Sequence, residues 1–401
     1  MERAARPAAA LFLIVFTAAG ARAANVTYAE ALAAARRGSG DLAAARALED
    51  VARADIGIAG VYPNPSVSVG TSTQTARFSG GVSVPLVILG QRGAAVTASK
   101  ADLVTSRIAT EIAWSDVRAA TARAFVALWL AAKSAAARAD AATVAARLDD
   151  AVKGRVEVGA APELEGLRAH AERLRADADA REAAELVGAA GSDLGRWMGL
   201  PDGAELRASG DPDVPAATPV VGELAPRVDA NPAVRRERAD AQAAEARADR
   251  ERALVRPALA LDLGVDIGDP TLPATNYRAQ LGIEVPVFNQ RGPYVEHELA
   301  AARAARFRAN AERIRLSAAL AVAYRQFVAV STRRDALASG VVPAAESAAQ
   351  ATEAAYTLGR LPLVAVLDAE RARIDARLSL LEAEASRANA WVDVQYALGA
   401  P

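Results

Sequence analysis

Two hydrophobic periods alternate along this chain, and the switches between them divide it into elements. Between residues 259 and 287 the period is two. Leu259, Leu261, Leu263, Val265 and Ile267 share one face of an extended segment, while Ala260, Asp262, Gly264 and Asp266 share the other. A turn-rich run, Asp269-Pro270-Thr271-Leu272-Pro273, leads to a partner strand. That partner puts Leu281, Ile283, Val285 and Val287 on one face and Gln280, Gly282 and Glu284 on the other. An earlier pair repeats the pattern: Val67, Val69 and Thr71 alternate with Ser66, Ser68, Gly70 and Ser72, and Val82, Val84 and Leu86 follow on the return. Each strand is about ten residues long, the length that a tilted membrane strand needs. A soluble hairpin with one wet face shows the same alternation.

Elsewhere the period is helical. From Gly93 to Lys153 the chain runs for 61 residues without Pro or internal Gly, about 90 Å of helix. Gly292 to Thr357 is read as its counterpart. Beyond Pro362, Leu367, Ile374, Leu381 and Ala388 recur at seven-residue spacing, and Leu378, Ala385 and Val392 form a second such series. Seven-residue periods mean helices packed lengthwise as coiled coils. Gly159 with Pro162, and Gly359 with Pro362, predict tight turns between long helices: Gly supplies a left-handed exit and Pro opens the next helix. Shorter helices are expected at about Tyr28 to Ile58 and Glu223 to Val255.

These elements come in the same order twice, 200 residues apart at Gly159 and Gly359. Val84-Pro85-Leu86 recurs as Val285-Pro286-Val287, Gln91-Arg92-Gly93 as Gln290-Arg291-Gly292, and Gly199 as Gly399. A period this long marks a duplicated half-molecule rather than a solenoid. The expected organisation is a signal peptide at 1–23, a first structural repeat at 24–199, a connector at 200–226 and a second repeat at 227–401. The signal reading rests on Arg3 and Arg6, the apolar run Leu11-Phe12-Leu13-Ile14-Val15-Phe16 and the small-x-small site Ala21-Arg22-Ala23. With four strands per chain, too few to close a barrel, a membrane reading requires several chains to pool them.

Composition narrows the chemistry. The 47 basic and 48 acidic residues leave a net charge of −1, which offers no electrostatic case for nucleic acid. The absence of Cys excludes disulfides, thiolate metal sites and a Cys-linked lipid anchor. Two His and 4% aromatic residues are a poor stock for general acid–base catalysis, and no phosphate-binding Gly-rich loop is present. An enzyme is not expected, and no cofactor is implied. His170 and His297 lie far apart, and neighbours on a helix point to different faces, so no metal site is expected. No run of 18 strongly apolar residues occurs beyond the signal, so any membrane span must be made of strands.

Tyr356-x-x-Gly359-x-x-Pro362-x-x-x-Val366-Leu367-Asp368-Ala369 is similar to the periplasmic-turn signature of the TolC family of outer-membrane efflux proteins. The stretch Tyr62-Pro63-Asn64-Pro65 and the stretch from Val285 to Gly292, Val-Pro-Val-Phe-Asn-Gln-Arg-Gly, resemble the heavy-metal (cobalt-zinc-cadmium) efflux branch of that family. The likeness covers essentially the whole mature chain. It implies a mostly α fold with a small β part, in which long coiled-coil hairpins form an α-barrel and four strands per chain enter a shared trimeric β-barrel. It further implies a homotrimer with twelve strands and twelve helices, set in outer-membrane lipid and reaching into the periplasm. The partners implied are a periplasmic adaptor (membrane fusion) protein and an inner-membrane pump of the RND type. The role implied is passive conduction of substrate, heavy-metal cations in the favoured case and drugs or type I secreted proteins in the alternative. On the residues alone, a periplasmic coiled-coil scaffold is the remaining reading.

The resemblance also assigns roles. Val158, Gly159 and Ala160, with Leu358, Gly359 and Arg360, match the family's adaptor-docking tips. Asp368 matches an acidic gate position, and Tyr356 and Glu165 match positions that hold the closed state by hydrogen bonds between helices. The chain departs from the pattern at Ala365, which replaces a second acid, and at Leu361, which replaces a partnering Arg, with Arg360 beside it. Asp262, Asp266 and Glu284, opposite the apolar stripe, are expected to face the barrel lumen, because charge facing lipid is expensive.

Overall fold

The computed structural model describes residues 24–73, 76–201, 205–271 and 274–399. The signal segment expected at 1–23 lies outside them, as do Leu272 and Pro273 of the predicted turn. The chain opens with a short strand, β1 (Ala24–Val26), and two helices, α1 (Tyr28–Gly38) and α2 (Gly40–Ala59). Strands β2 (Ser66–Gly70) and β3 (Phe78–Leu86) follow, then helices α3 (Gln91–Glu157) and α4 (Glu163–Met198). Next come β4 (Leu206–Ala208), the one-turn helix α5 (Val221–Leu224) and a 3-10 turn over Ala225–Ala230. The same order then returns: α6 (Pro232–Ala253), β5 (Ala258–Ile267), β6 (Thr275–Glu284), α7 (Gly292–Ala336), α8 (Val342–Thr357) and α9 (Leu363–Leu398).

Several elements depart from the sequence reading. The first helix breaks at Ser39. There Gly199, the left-handed cap of α4 (φ 72°), meets Gly38 so closely that a Cβ on either residue would lie 2.1–2.3 Å from a backbone oxygen. The second half uses another residue at the equivalent joint. Asn231 caps α6 by accepting from Ala233 N at 2.9 Å, and its amide donates to the carbonyls of Tyr396 and Ala397 at 3.3 and 3.0 Å. That helix therefore starts at Pro232 rather than near Glu223.

The long second-half helix is also interrupted. A π-turn over Leu337–Val341 separates α7 from α8. Gly340 and Pro343 are the cause, and their presence contradicts an unbroken helix from Gly292 to Thr357. A proline ring inside a helix collides with the carbonyl four residues earlier, and a wider turn relieves it. Helix α3 carries no Pro and runs 67 residues without a break. Among the strands, β2 ends at Gly70 and β6 spans Thr275–Glu284, so Thr71, Val285 and Val287 fall outside the ladder.

All four long strands form one antiparallel sheet in the order β2-β3-β5-β6, so β2 and β6 are its edges. Register fixes the faces. Val67, Val82, Leu263 and Ala279 stand in one row, and Ser66, Ser83, Asp262 and Gln280 in the next. The first row and its congeners are mostly valine, leucine and isoleucine, exposed or half-buried, with Val67 at 73% exposure. The other face is mainly Ser, Gly, Asn, Gln and charge, with Pro85 and Ala260 among them.

Two cores hold the middle of the molecule. β1 pairs in parallel with β4 and seals a cluster around Phe125, Leu128, Trp129, Leu194 and Met198. The second cluster gathers Val234, Leu316, Leu320, Val394 and Leu398. Along the rest of their length the helices are lined by alanine, whose small side chain lets neighbouring axes approach.

Where sheet gives way to helix, Arg291 is the only non-glycine residue with positive φ among the described residues (55°). Gly90 holds the matching cap position ahead of α3 with φ 92°. Arg291 keeps its backbone there because its side chain is anchored: Nε and Nη2 lie 2.7 and 2.5 Å from Oε2 of Glu251, which is 7% exposed, and the guanidinium lies 4.7 Å from the Tyr294 ring. Burial raises the Glu251 pKa, but hydrogen bonds from Arg250 and Arg291 outweigh it and hold the carboxyl below its ordinary 4.5. The pair therefore stabilises the fold fully above pH 4.5 and is lost only as pH falls through the lower folded value. Arg291→Ala is expected to destabilise the protein by about 1.5 kcal/mol at neutral pH, the scale of a hydrogen bond to a charged group, because Arg250 remains paired with Glu251. Denaturant unfolding followed by circular dichroism checks this, and the deficit should shrink as the carboxyl is protonated.

Candidate functional site

Both ends of the long axis carry the residues singled out from the sequence. At the helical end the two hairpin turns have the same construction. Ala160 N donates to Arg155 O at 2.8 Å and Gly159 N to Val156 O at 3.0 Å; Arg360 N donates to Ala355 O and Gly359 N to Tyr356 O, both at 2.9 Å. This double bond pattern satisfies the last helical carbonyls and requires the left-handed residue that Gly159 (φ 70°) and Gly359 (φ 69°) supply. A Cβ on either glycine would meet nothing within 4 Å, so torsion alone demands glycine here. Val158 and Leu358 are exposed beside them, as are Ala160 and Arg360. Each turn thus presents bare backbone flanked by an apolar side chain.

Behind the turns a small core ties the two hairpins together. Val152, Ala169, Tyr356, Leu363, Val366 and Leu367 pack in one cluster, bringing α3, α4, α8 and α9 into contact. Tyr356 is 4% exposed, and the Arg155 guanidinium lies 4.8 Å from its ring centre. Burial pushes the phenol pKa up; Arg155 opposes the shift and the half-buried Glu165 reinforces it. The hydroxyl is buried without a hydrogen-bond partner of good geometry. Tyr356 of α8 and Glu165 of α4 are thus brought close enough for the carboxylate to act on the phenol.

Asp368 sits one turn further along α9, 67% exposed and 3.8 Å from Arg371. Arg371 spends its main contacts elsewhere. Its guanidinium grips Glu172 of α4 through both terminal oxygens, with Nε to Oε1 at 3.1 Å. Hydrogen bonds from Arg371 hold the Glu172 carboxyl below 4.5, against the opposing effect of burial. This ion pair joins the two hairpins, and the sequence reading missed it. The legible signal was Arg371 three residues after Asp368; Glu172 carried none. Asp149, buried on α3, lies 3.3 Å from Nδ1 of His170 and 3.4 Å from Arg173. His170 thus belongs to a local polar contact, and His297 lies 3.6 Å from Glu298. No group of three or more His, Asp or Glu residues is arranged to hold a metal among the described residues.

At the other end, the polar face of the sheet carries the expected acids at three heights. Glu284 lies at the inner end of β6 and is exposed; Asp262 lies mid-strand opposite Ser83 and Gln280; Asp266 lies near the hairpin tips opposite Ser79 and Asn276. Asp266 departs from the reading of a free lumen acid. Its carboxylate is 14% exposed because Arg278 covers it, with Nε to Oδ2 at 2.6 Å. The sequence reading began the polar face of this strand at Gln280, and β6 begins five residues earlier, so Arg278 was not counted.

A family model described as "Outer membrane efflux protein" matches residues 31–199 and 228–400. The "Cobalt-zinc-cadmium resistance protein CzcC" of Cupriavidus metallidurans is 25% identical over 365 residues, covering 89% of this chain and 86% of that one. The solved structure of CusC superposes with a TM-score of 0.75 at 17% identity, covering 97% of this chain and 96% of its own. The outer membrane protein VceC of Vibrio cholerae gives 0.70 at 17% identity, covering 93% and 96%.

Gly159→Ala and Gly359→Ala should each cost about 1–2 kcal/mol by forcing an L side chain into the left-handed region. Faster hydrogen exchange confined to the affected turn would report it. Arg371→Ala should speed exchange in the first turns of α9 at neutral pH. The Glu172 tie is present above 4.5 and lost as pH falls through its lower folded value. Acidifying the wild type to about pH 5 should therefore leave the contact intact.

Proposed function

The chain belongs to the outer membrane efflux protein family, and from that premise we propose that it conducts heavy-metal cations out of the cell as the outer-membrane channel of a tripartite exporter. Members of the family form trimers and work with a periplasmic adaptor and an inner-membrane pump; they conduct substrate and perform no chemistry on it. The observation that carries the conduit reading is the four-stranded sheet, apolar and exposed on one face, polar on the other, and open at both edges, joined directly to helical hairpins. The metal reading is supported by the likeness to a cobalt-zinc-cadmium resistance protein over 89% of the chain. The pump in this proposal is of the RND type, and the apolar sheet face contacts outer-membrane lipid.

Within the conduit we assign the roles that the resemblance implies, which the exposure of these residues supports. The exposed turns at Val158, Gly159 and Ala160, and at Leu358, Gly359 and Arg360, dock the adaptor, because glycine there admits another helix tip against the backbone. Asp368, exposed beside them, forms one third of a carboxylate ring at the periplasmic entrance. Tyr356 and Glu165 control the packing of the two hairpins, and the unbonded Tyr356 hydroxyl is a group that a shift of the tip would satisfy. Asp262 and Glu284 line the lumen with negative charge, favouring cations.

Deleting the gene should sensitise cells to cobalt, zinc or cadmium, and re-expression of the wild-type chain should restore tolerance. Growth curves across metal concentrations make the comparison. Sensitivity to hydrophobic drugs with unchanged metal tolerance would assign the channel to drug efflux instead. Loss of a secreted protein would assign it to type I secretion.

A further inference from the structure

The row of the polar sheet face nearest but one to the hairpin tips is unlike the others. It reads Ser68, Gly81, Gly264, Arg278 across the four strands. Three of its four positions carry at most a hydroxymethyl group, so the single long side chain has this level to itself. The clearance is used: a Cβ on Gly264 would lie 3.2 Å from Nη2 of Arg278. The guanidinium lies across β5 toward the neighbouring row, where Nε reaches Asp266 Oδ2 at 2.6 Å and Nη2 reaches Oδ1 at 3.3 Å.

The two partners are not equally presented. Arg278 is 57% exposed and Asp266 only 14%. The carboxylate is tucked against the sheet, and the remaining guanidinium donors face the open side. Taken together the pair is neutral, yet what it offers to a passing ion is cationic. Below this level, Asp262 has no ion-pair partner among the described residues, and its row neighbours are Ser66, Ser83 and Gln280.

We infer that Arg278 sets the charge selectivity of the outer pore, presenting a guanidinium ring at the exit that counteracts the carboxylates of Asp262 and Glu284 deeper in. The inference rests on the proposal that the polar face lines the lumen. Its consequence is an axial order of charge, negative at the inner end and positive near the mouth. Asp266 acts through Arg278 and not as a free acid: it fixes the guanidinium in place and screens part of its charge. A cation in the conduit is concentrated by the inner acids and meets a positive barrier near the mouth, which lowers cation entry from the outside.

The test uses the full-length purified channel in planar bilayers, with the potassium-to-chloride permeability ratio read from reversal potentials in a salt gradient. Arg278→Gln should raise the ratio about two- to fivefold, the scale of removing one partly screened positive charge per chain and leaving the Asp266 carboxylate without its partner. Arg278→Lys should leave it near the wild-type value. Asp266→Asn, which unmasks the guanidinium, should lower it, and Asp262→Asn should lower it as well. Single-channel conductance and trimer mass confirm that each variant is assembled. An unchanged ratio in Arg278→Gln alongside a lowered ratio in Asp262→Asn overturns the inference and leaves the lumen assignment standing. Unchanged ratios in all four overturn both.

Discussion

Within hydrocarbon, every backbone N–H and C=O must find a partner in protein, since an unpaired group costs several kcal/mol. The rest of this molecule follows from that constraint. One chain contributes four strands, and its sheet ends in two unpaired edges, β2 and β6. The strands run antiparallel across the sheet, so β6 of one copy can continue the ladder onto β2 of another. A sheet that is apolar on one side and polar on the other has a single stable closure in a bilayer, with the apolar side outward. The sheet therefore compels association, and the association creates the pore.

The helical part converts that closure into length. Helix α3 alone is 67 residues long, about 100 Å. Its Ala-lined contacts give little apolar area per turn, so stability is concentrated at three levels: the Arg291–Glu251 joint below the sheet, the two apolar cores at the waist and the small cluster at the tip. The stretches between these levels are held by alanine contacts and surface ion pairs, each of which is worth little on its own. The two halves solve equivalent problems with different residues. Gly38 against Gly199 in one half answers to Asn231 against Gly399 in the other, and Gly90 answers to Arg291.

Much of this was legible in the amino-acid order. Period two in Leu259 to Ile267 gave the strand and its faces, and the Gly-x-x-Pro turns gave the hairpins. The heptads after Pro362 gave the lengthwise packing, and Tyr356 to Ala369 gave the family. The misses have physical reasons. The π-turn was signalled by Gly340 and Pro343, but the strength of the surrounding helical pattern masked two breakers set three residues apart. Arg278 was hidden because the start of β6 lies beside a turn, where alternation gives no boundary. The Glu172–Arg371 pair joins residues 199 apart, and no local pattern reports such a contact. The gate and docking roles came from resemblance and the lumen role from strand alternation, and all are proposals about chemistry that the fold positions.

The central claim is that β2 and β6 are completed by other copies of the same chain. The protein has no Cys, so introduced pairs report without background. Ala279→Cys on β6, combined in turn with Cys at each position from Ser66 to Gly70 on β2, should give one register that oxidises to a covalently closed trimer in the outer membrane. On non-reducing gels that trimer would resist boiling in detergent and revert to monomer on reduction. A chain that stays monomeric across all registers while folded and membrane-inserted would contradict the account.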